Sequence, residues 1–529
     1  MNPQERDGKL LQMPSPAAPA APSAPATEPD TDVFAVFGAE PEVQAYAMAK
    51  YSRSALSMRQ SLEEINQQKA EKFLNTFYFQ YGHRSIADLA HIAFAIERLS
   101  ILAAIILVDE QRWDGQERST RYQDFRKSGY FVPDFAGDRA AEQTYRAAAD
   151  ALFDDYDALS QAMFRYLAER TPRPPEMKSE QYERTLRARA FDFARYLLPL
   201  ATNTSLGQIV NARTLESQVS RLLSSPYAEV RRLGEKLKQA ASAPAYNVNR
   251  ERWRQFIEVE IAGRDEGTGR EAYELFLKPV RPAPTLVKYA EPSPYRVETE
   301  RELAQAAREL VGKAPIASTP AVDLLDDEPL EIELAATLLY EHAAHPYRQV
   351  RQAVEALTPA QRKEITDLGV RHRTRHDELL RAFAAGQRLR FDILMDIGGF
   401  RDMHRHRRCI QILQPFTALH GYDTPPEIEE AGQGERYRAA MQHAASAIGQ
   451  LQERSGHYLL PLATRQRTLF KMDFAEAVYI SELRTGPAGH FSYRNIAYAM
   501  YEAVAKRHPA LAEYFRVTDV REPVDLLKR

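Results

Sequence analysis

A six-residue sequence occurs twice in this chain, and its recurrence constrains the fold more than any other feature. Residues Leu197–Thr202 read LLPLAT, and Leu459–Thr464 repeat them identically 262 positions later. A long segment with helical character follows each occurrence, and an arginine, Arg221 or Arg484, lies 22 or 23 residues after the proline. Self-similarity at a fixed offset indicates a duplicated folding unit. We therefore predict two copies of one fold, arranged as a pseudo-dimer within the chain.

The length of the chain, 529 residues, also suits two domains rather than one hydrophobic core. Residues 279–330 are rich in proline and small residues, which is typical of linkers and loops. We predict an N-terminal domain over residues 33–280, a linker over 281–298 and a C-terminal domain over 299–529. Residues 1–32, with many alanines and prolines, are predicted to be a disordered tail.

The overall composition excludes several classes of protein. A net charge of −3 gives no global attraction to nucleic acid or to a membrane, so neither is expected as a partner. The single cysteine, Cys409, excludes an intramolecular disulfide framework and a multi-thiolate zinc cage in one chain. We expect it to be a small buried side chain in a cytoplasmic protein. The longest apolar run, Leu99–Val108, is far shorter than the roughly 20 residues that span a bilayer, so we expect a core element.

Hydrophobic periodicity predicts a mainly helical chain with a few strands. Ser85–Asp88 has the form of a capping box, and the apolar residues from Leu89 to Ile96 are spaced for one face of a helix. In the second half, Leu389–Ile397 alternate apolar and polar residues, which predicts a strand. Gly398 and Gly399 are predicted to end that strand before a basic helix.

The basic stretch after these glycines is a candidate phosphate site. Arg401, Arg405 and Arg408 have the spacing i, i+4, i+7 and would form one cationic face of a helix. Guanidinium groups bind phosphate oxygens in a bidentate manner. A solvated basic face is the alternative interpretation. No metal site is expected, because His404 and His406 lie two residues apart without a metal-binding motif around them.

Four short motifs follow one another in the N-terminal half. They are GHRS at Gly82–Ser85, ERSTRY at Glu117–Tyr122, ARYLLP at Ala194–Pro199 and NAR at Asn211–Arg213. In this order they resemble the G-H-x-S, E-x-S-x-R-Y, A-R-x-x-L-P and N-x-R motifs of flavin-dependent thymidylate synthases. The resemblance implies an α+β fold of two tandem domains of this family, mainly helical around small antiparallel sheets.

Each half departs from the family pattern where the other half keeps it. The R-H-R part of the nucleotide motif falls on Asp109–Gln111 in the first half, but is present as Arg405–Arg407 in the second. Conversely, the E-x-S-x-R-Y positions of the second half hold Leu413, Pro415, Thr417 and Ala418. Arg484 lies 11 residues after Asp473, in the register of the catalytic arginine of the family, whereas Arg221 lies 10 after Asn211. A shift of one residue on a helix corresponds to about 100°.

The resemblance implies a role for each matching residue. Residues implied to bind the nucleotide are Glu117, Ser119, Arg121 and Arg195. Residues implied to bind the cofactor FAD are His83, Ser85, Asn211, Arg213, Arg405, His406 and Arg407. The implied catalytic residues are Arg484 and Arg221. His457 takes the place of Arg195 in the second half, and His376 is a loose counterpart of His83.

Because family members assemble their sites between subunits, the reciprocal losses are consistent with one composite site. It would take R-H-R and Arg484 from the second half, and E-x-S-x-R-Y with N-x-R from the first; the opposite combination would be inactive. A homodimer of the fused chain would rebuild a pseudo-tetramer. The implied reaction transfers a one-carbon unit from methylenetetrahydrofolate to dUMP with hydride from reduced FAD, which NADPH reduces.

Two other functions stay open at this point. The first is a flavin- or nucleotide-binding homologue with a changed substrate or lost catalysis, because Asp114 and Gln116 stand at the middle Ser and Asn positions of the motif. The second is a non-enzymatic module that binds nucleic acid or protein through the basic stretch.

Overall fold

The structure, a computed structural model, describes residues 40–50, 84–374 and 377–527. His83, His376 and the predicted tail lie outside these ranges. The helices are α1 Pro41–Lys50, α2 Ile101–Leu107, α3 Arg139–Arg170, α4 Ser179–Ala194, α5 Ala212–Leu223, α6 Ala228–Ser242, α7 Arg250–Phe256, α8 Glu266–Leu277, α9 Pro294–Leu310, α10 Leu330–Tyr340, α11 Tyr347–Glu355, α12 Pro359–Leu368, α13 Ile397–Met403, α14 Pro426–Glu430, α15 Gly434–Gln450, α16 Glu453–His457, α17 Phe474–Thr485 and α18 Phe491–Arg507.

The strands are β1 His91–Ser100, β2 Asp114–Glu117, β3 Asn203–Asn211, β4 Val322–Leu324, β5 Leu389–Asp396, β6 Ile410–Leu413 and β7 Arg465–Met472. Short 3₁₀ helices lie at Arg84–Leu89, Arg195–Leu197, Arg381–Phe383 and Pro509–Tyr514, and a π-helical turn at Ile257–Ala262.

Two antiparallel sheets repeat the same topology. The strands of one sheet lie in the order β1, β3, β2, and those of the other in the order β4, β5, β7, β6. The register also repeats, since Asp114 pairs with Ile209 in one sheet and the equivalent Ile410 pairs with Lys471 in the other. We call residues 84–242 the first copy and residues 322–507 the second copy. The prediction of a tandem α+β fold, mainly helical around small antiparallel sheets, is confirmed.

The two copies meet at the repeated six residues. The amide N of Leu200 donates to the carbonyl O of Leu460 at 2.9 Å, and the amide of Leu462 donates to Leu198 at the same distance. Pro199 and Pro461 form an antiparallel bridge between these bonds. The two hydrogen bonds are related by exchange of the copies, and Pro199 lies opposite its own counterpart Pro461, as in a two-fold symmetric dimer interface. This self-pairing gives a physical reason for the identity of the two hexapeptides.

The hydrophobic core runs through this junction. Leu102 of the first copy and Phe400 of the second are both fully buried in one cluster with Leu198 and Leu460. α2 contributes its buried apolar face to this cluster, as expected for the apolar run. Because the two copies share one core, the position of each copy is fixed by the other.

The segment between the copies also packs against the core. Residues 281–293 form neither helix nor strand, yet Leu286 and Val287 are fully buried. Glu42 in α1 accepts hydrogen bonds from the amides of Thr285 and Leu286 at 2.8 and 2.7 Å. The predicted domain boundaries stay a prediction. Within the described ranges, no helix is long and apolar enough to cross a membrane.

Two secondary-structure predictions for the regions around the site are wrong. The apolar residues after Ser85 belong to strand β1, not to a helix, and only residues 84–89 form a short 3₁₀ helix. Ile92 and Ile96 are both buried, and a spacing of four residues fits one face of a strand as well as of a helix. The segments after the hexapeptides likewise begin with strands, β3 and β7, before helices α5 and α17.

The predicted basic helix is also wrong. Helix α13 begins before Gly398 and Gly399 and ends at Met403, so Arg405 and Arg408 lie beyond it and form no common face with Arg401. Both glycines are in the first turn, where a larger residue would require neighbouring side chains to move. A Cβ atom at Gly399 would lie 2.6 Å from the hydroxyl oxygen of Ser492, and one at Gly398 would contact Asp396 at 3.1 Å.

Candidate functional site

Arginines from both copies act electrostatically on one carboxylate, that of Asp402 at the end of α13. They are Arg121 and Arg195 from the first copy and Arg405 and Arg484 from the second. Nη1 of Arg195 lies 3.9 Å from Oδ2 of Asp402. Burial acts to raise the pKa of Asp402, but these four guanidinium groups together hold it below its usual value. Arginines from both copies therefore act on the carboxylate of Asp402.

Arg121 joins the two copies directly. Its Nε donates to Asp192 of α4 at 2.7 Å, while its Nη1 donates to the hydroxyl of Tyr493 at 3.0 Å and its Nη2 to the carbonyl of Ala488 at 3.1 Å. The Tyr493 ring lies 5.7 Å from the Arg121 guanidinium and 5.5 Å from that of Arg484. The structure thus brings the E-x-S-x-R-Y arginine and the predicted catalytic arginine to the same aromatic ring.

Glu117, at the start of the same motif, also contacts the second copy. Its carboxylate forms a buried ion pair with Arg401 of α13, and Nη1 of Arg401 lies 3.5 Å from the hydroxyl of Thr120. The hydroxyl of Ser119 accepts a hydrogen bond from the backbone N–H of Arg121 at 3.2 Å. The motif is therefore held against the second copy by one ion pair and folded on itself by one local hydrogen bond.

Arg195 is the most deeply buried charge of the cluster. Only 2% of the residue is exposed, and its Nε and Nη2 atoms have no hydrogen-bond partner among the described residues. Its guanidinium lies against Gly398, where a Cβ atom would come within 3.6 Å. A buried donor without a partner costs about 1–3 kcal/mol, and more when it is charged. Such a group has unused capacity to bind an anion.

Arg484, in the last turn of α17, is held by a histidine. Its Nε lies 2.8 Å from Nε2 of His406, and Nδ1 of His406 faces Oε1 of Glu476 at 3.6 Å. The pKa of His406 lies below its usual value because burial outweighs the opposing effect of Glu476. His406 is therefore neutral at physiological pH.

The neighbours of His406 in the R-H-R segment differ in exposure. Arg405 is exposed. Arg407 is partly buried 5.0 Å above the ring of Trp113, and its Nη2 has no partner in the described part of the chain. Burial lowers the pKa of Arg407 to about 10, although Asp109 nearby acts in the opposite direction.

The remaining predicted residues of the first copy make their contacts with carboxylates. Arg221 binds Glu110 at 2.8 Å, and Arg213 binds Asp88 at 3.3 Å and Glu378 at 3.2 Å. The side chain of Asn211 caps helix α5 by accepting from the amide of Thr214 at 2.8 Å. Ser85 is exposed on the 3₁₀ helix that also carries Asp88. In the described part of the chain, no hydrogen bond or ion pair joins these residues to Arg121, Arg195, Arg405 or Arg484.

Arg221 and Arg484 make equivalent contacts, although their positions in the two helices differ by one residue. Asn211 and Asp473 are equivalent N-caps, and Arg221 and Arg484 follow them by 10 and 11 residues. Glu110 nevertheless occupies the place in the first copy that His406 occupies in the second, and each binds the arginine of its own copy. Long side chains therefore absorb the difference in register.

Several residues of the site were not predicted from the sequence, namely Asp192, Asp402, Glu476 and Tyr493. The three carboxylates are buried among cations, where sequence reasoning expected only arginines. Their signal was weak, because isolated acidic residues in helices are usually solvated. Among the described residues, no group of three or more His, Cys, Asp or Glu side chains could hold a metal ion.

Comparison with known proteins supports the duplication. The family model described as thymidylate synthase complementing protein matches residues 35–244 and again residues 322–510. The UPF0159 protein of Chlamydia pneumoniae is 26% identical over 537 residues, which cover 94% of this chain and 93% of that protein. The flavin-dependent thymidylate synthase of Clostridium tetani is 26% identical over 177 residues, covering 33% of this chain and 67% of that protein.

Solved structures that resemble the chain match about one copy. Thymidylate synthase X from Helicobacter pylori, solved with FAD and dUMP, has 19% identity and a TM-score of 0.26, and the match covers 38% of this chain and 88% of that chain. A UMP/dUMP methylase from Streptomyces cacaoi bound with 5-Br dUMP has 18% identity and a TM-score of 0.28, with 38% and 84% covered.

Proposed function

This chain belongs to the thymidylate synthase complementing protein family, and from that premise we propose that it is a flavin-dependent methyltransferase of the thymidylate synthase type. Its substrate is dUMP, and its one composite site lies between the two copies. Methylenetetrahydrofolate supplies the carbon, and NADPH is the reductant. A homodimer of the chain forms the pseudo-tetramer.

The observation that carries this proposal is the meeting of arginines from both copies: Arg195 of the first copy lies 3.9 Å from Asp402 of the second, and Arg121 and Arg484 lie at the ring of Tyr493. With Asp192, Asp396 and Asp402 as counter-ions, and the Glu117–Arg401 pair neutral, the four arginines keep a positive excess. A phosphate monoester carries a charge of roughly −1.5 to −2 at neutral pH. A nucleoside monophosphate therefore matches the sign of the charge of the site.

We assign the roles of the side chains from the family resemblance. Arg121 and Arg195 bind the nucleotide with Ser119 and Glu117, and the unpaired donors of Arg195 take its anionic oxygens. Arg484 stabilises negative charge that develops on the pyrimidine ring. Cys409 is not a nucleophile, because it is buried against the carbonyl of His406 and its pKa is raised to about 12 by burial.

FAD fits the R-H-R segment. Arg407 has a buried donor without a described partner, and Arg405 is exposed beside it, so both can bind anionic oxygens of a flavin nucleotide. We assign His83, Ser85, Asn211 and Arg213 to the flavin on the family resemblance alone. Bound FAD supplies the hydride that completes the methyl group.

The full chain, purified and reconstituted with FAD, tests this proposal. We expect a flavin absorption spectrum that follows the protein in gel filtration, and formation of dTMP from dUMP with methylenetetrahydrofolate and NADPH, detected by mass spectrometry. A chain that never retains FAD would contradict the proposal. Retention of FAD and dUMP without dTMP would instead identify a homologue with a changed substrate or lost catalysis.

A further inference from the structure

A buried glutamate behind the site has no role in the function described so far. We propose that Glu476 acts through His406 as a positioning relay, which holds Arg484 by its Nε and keeps the two Nη groups available for the substrate. This inference rests on the proposed function, because it assigns the support of its catalytic arginine.

The contact between Arg484 and His406 fixes the protonation state of the imidazole. An arginine side chain has five N–H donors and no acceptor. Nε2 of His406, 2.8 Å from Nε of Arg484, must therefore accept and carry a lone pair. A neutral imidazole with a lone pair on Nε2 has its proton on Nδ1. The geometry thus selects one of the two tautomers.

Glu476 stabilises that tautomer. Its Oε1 lies 3.6 Å from Nδ1 of His406, and only about 5% of each residue is exposed. A carboxylate beside the N–H of an imidazole fixes both the orientation of the ring and the position of its proton. Tyr479 closes another side of the imidazole, with its ring edge-on at 5.8 Å. The imidazole is therefore enclosed by side chains of helix α17.

One helix carries both ends of the relay. Glu476 lies in the first turn of α17 and Arg484 in its last turn, and Asp473 caps the helix by accepting from the amide of Glu476 at 2.9 Å. His406 comes from the segment after α13 and bridges the two turns. His406 thereby holds Arg484 by its Nε, and the two Nη groups of Arg484 take no part in this contact.

Arg221, the equivalent arginine of the first copy, is held by a carboxylate and not by a histidine. Arg221 binds a carboxylate, Glu110, and also donates to the carbonyls of Ile106 at 2.9 Å and Leu107 at 3.4 Å. In contrast, the described residues offer no hydrogen bond to either Nη group of Arg484. A neutral histidine leaves the guanidinium its full charge, whereas a glutamate cancels it.

The decisive experiment compares E476Q and E476A with the matched control E110Q in the FAD-loaded full chain. We expect E476A to lower kcat for dTMP formation by about 10- to 100-fold, because small displacements of a catalytic group have effects of that size. The KM for dUMP and the FAD content should change less than about threefold. E476Q, which keeps the shape of the side chain, should have an intermediate kcat, and E110Q should match the wild type.

A conservative variant of the histidine separates positioning from folding. H406Q places an amide oxygen where it can accept from Nε of Arg484, so we expect it to keep more activity than H406A at equal thermal stability. If H406Q and H406A are equally impaired, or if E476A behaves like E110Q, the relay is wrong.

A readout without turnover keeps the relay testable even if the proposed function fails. In protein with ¹⁵N-labelled histidine, the resonances of His406, assigned by their loss in H406Q, should show a neutral ring protonated on Nδ1. In E476A this preference should be lost. A wild-type His406 that is protonated on Nε2, or doubly protonated at neutral pH, would overturn the relay whatever the substrate of the enzyme is.

Discussion

Arg221 and Arg484 sit at the end of equivalent helices in the two copies, and the residue beneath each makes them different. Glu110 binds Arg221 at 2.8 Å and neutralises it, whereas neutral His406 accepts from Arg484 at 2.8 Å and leaves its charge intact. The same backbone therefore presents one guanidinium paired with a carboxylate and one held by a neutral histidine. The difference teaches that a change of the residue beneath an arginine can alter the charge of a duplicated site while the arginine remains in place.

At the junction of the two copies, by contrast, the corresponding residues make equivalent contacts. Leu198 and Leu460 are both fully buried, and each accepts a hydrogen bond from the other copy at 2.9 Å. Here the two copies remain equivalent, because each hexapeptide packs against the other and a change in one must still fit the other. The copies are therefore alike in their structural centre and different at their sites.

The equivalence at the junction predicts the largest effect. We expect L198A and L460A each to lower the free energy of unfolding by about 2–5 kcal/mol, as large-to-small changes in a core do. The two losses should be equal within experimental error, as measured by urea denaturation. A difference of more than about 1.5 kcal/mol would show that the copies do not contribute symmetrically.

Substitution of the two arginines should have different effects on catalysis. R484Q should lower kcat by about 10²- to 10³-fold, because it removes a group that stabilises developing charge. R221Q should leave kcat near that of the wild type but destabilise the fold by about 1–3 kcal/mol, since Glu110 loses its partner. Steady-state kinetics and thermal melts of both variants measure this. Equal losses of kcat would mean that both arginines are catalytic.

Lowering the pH should affect the second copy through His406, and this effect should be smaller than those of the substitutions above. Burial lowers the pKa of His406 below the usual value of a histidine, about 6.5. The folded state then favours neutral His406, so this contribution to stability is present above pH 6.5 and is lost as the pH falls from there through the folded pKa. Protonation also removes the acceptor for Arg484, so kcat should fall about tenfold per pH unit below that pKa.

The control for this pH dependence is H406Q, whose amide does not titrate in this range. Its acid limb should be absent or displaced, while E110Q should keep the wild-type profile. An unchanged acid limb in H406Q would assign the titration to another group.

The smallest prediction concerns a feature of the first copy alone. Strand β1 contains a bulge between Glu97 and Leu99, where Arg98 has φ = 59°, and the equivalent strand β5 pairs with β7 without a register shift. Glycine adopts this backbone conformation without a steric penalty. We expect R98G to raise the free energy of unfolding by up to about 1 kcal/mol, measured by urea denaturation. A destabilised R98G would show that the side chain of Arg98 contributes more than its backbone costs.

The duplicated fold could be predicted because the evidence for it is in the order of residues. The hexapeptides reveal the repeat, and motifs in a fixed order reveal the family. The strand nature of β1 could not be predicted from Ile92 and Ile96, because residues four apart share a face in both regular structures. The short α13 could not be predicted either, because its two glycines are selected by contacts with distant residues such as Ser492.

The composition of the site was only partly accessible from the sequence. The sequence indicated the arginines, which resemble motif positions, and also the reciprocal losses. It did not indicate that four of those arginines act on Asp402 or that Tyr493 lies between two of them, because such interactions depend on how the two copies pack. The assignments of the individual site residues stay predictions for the experiments above.

The junction at the hexapeptides has an evolutionary consequence. In a dimer of identical chains every mutation appears on both sides of the axis, so a site cannot improve on one side while it decays on the other. Here the two sides are encoded separately, and the chain connects them permanently, so that their association needs no partner at any concentration. Glu110 and His406 could therefore arise independently at one ancestral position. Fusion made the two halves free to specialise.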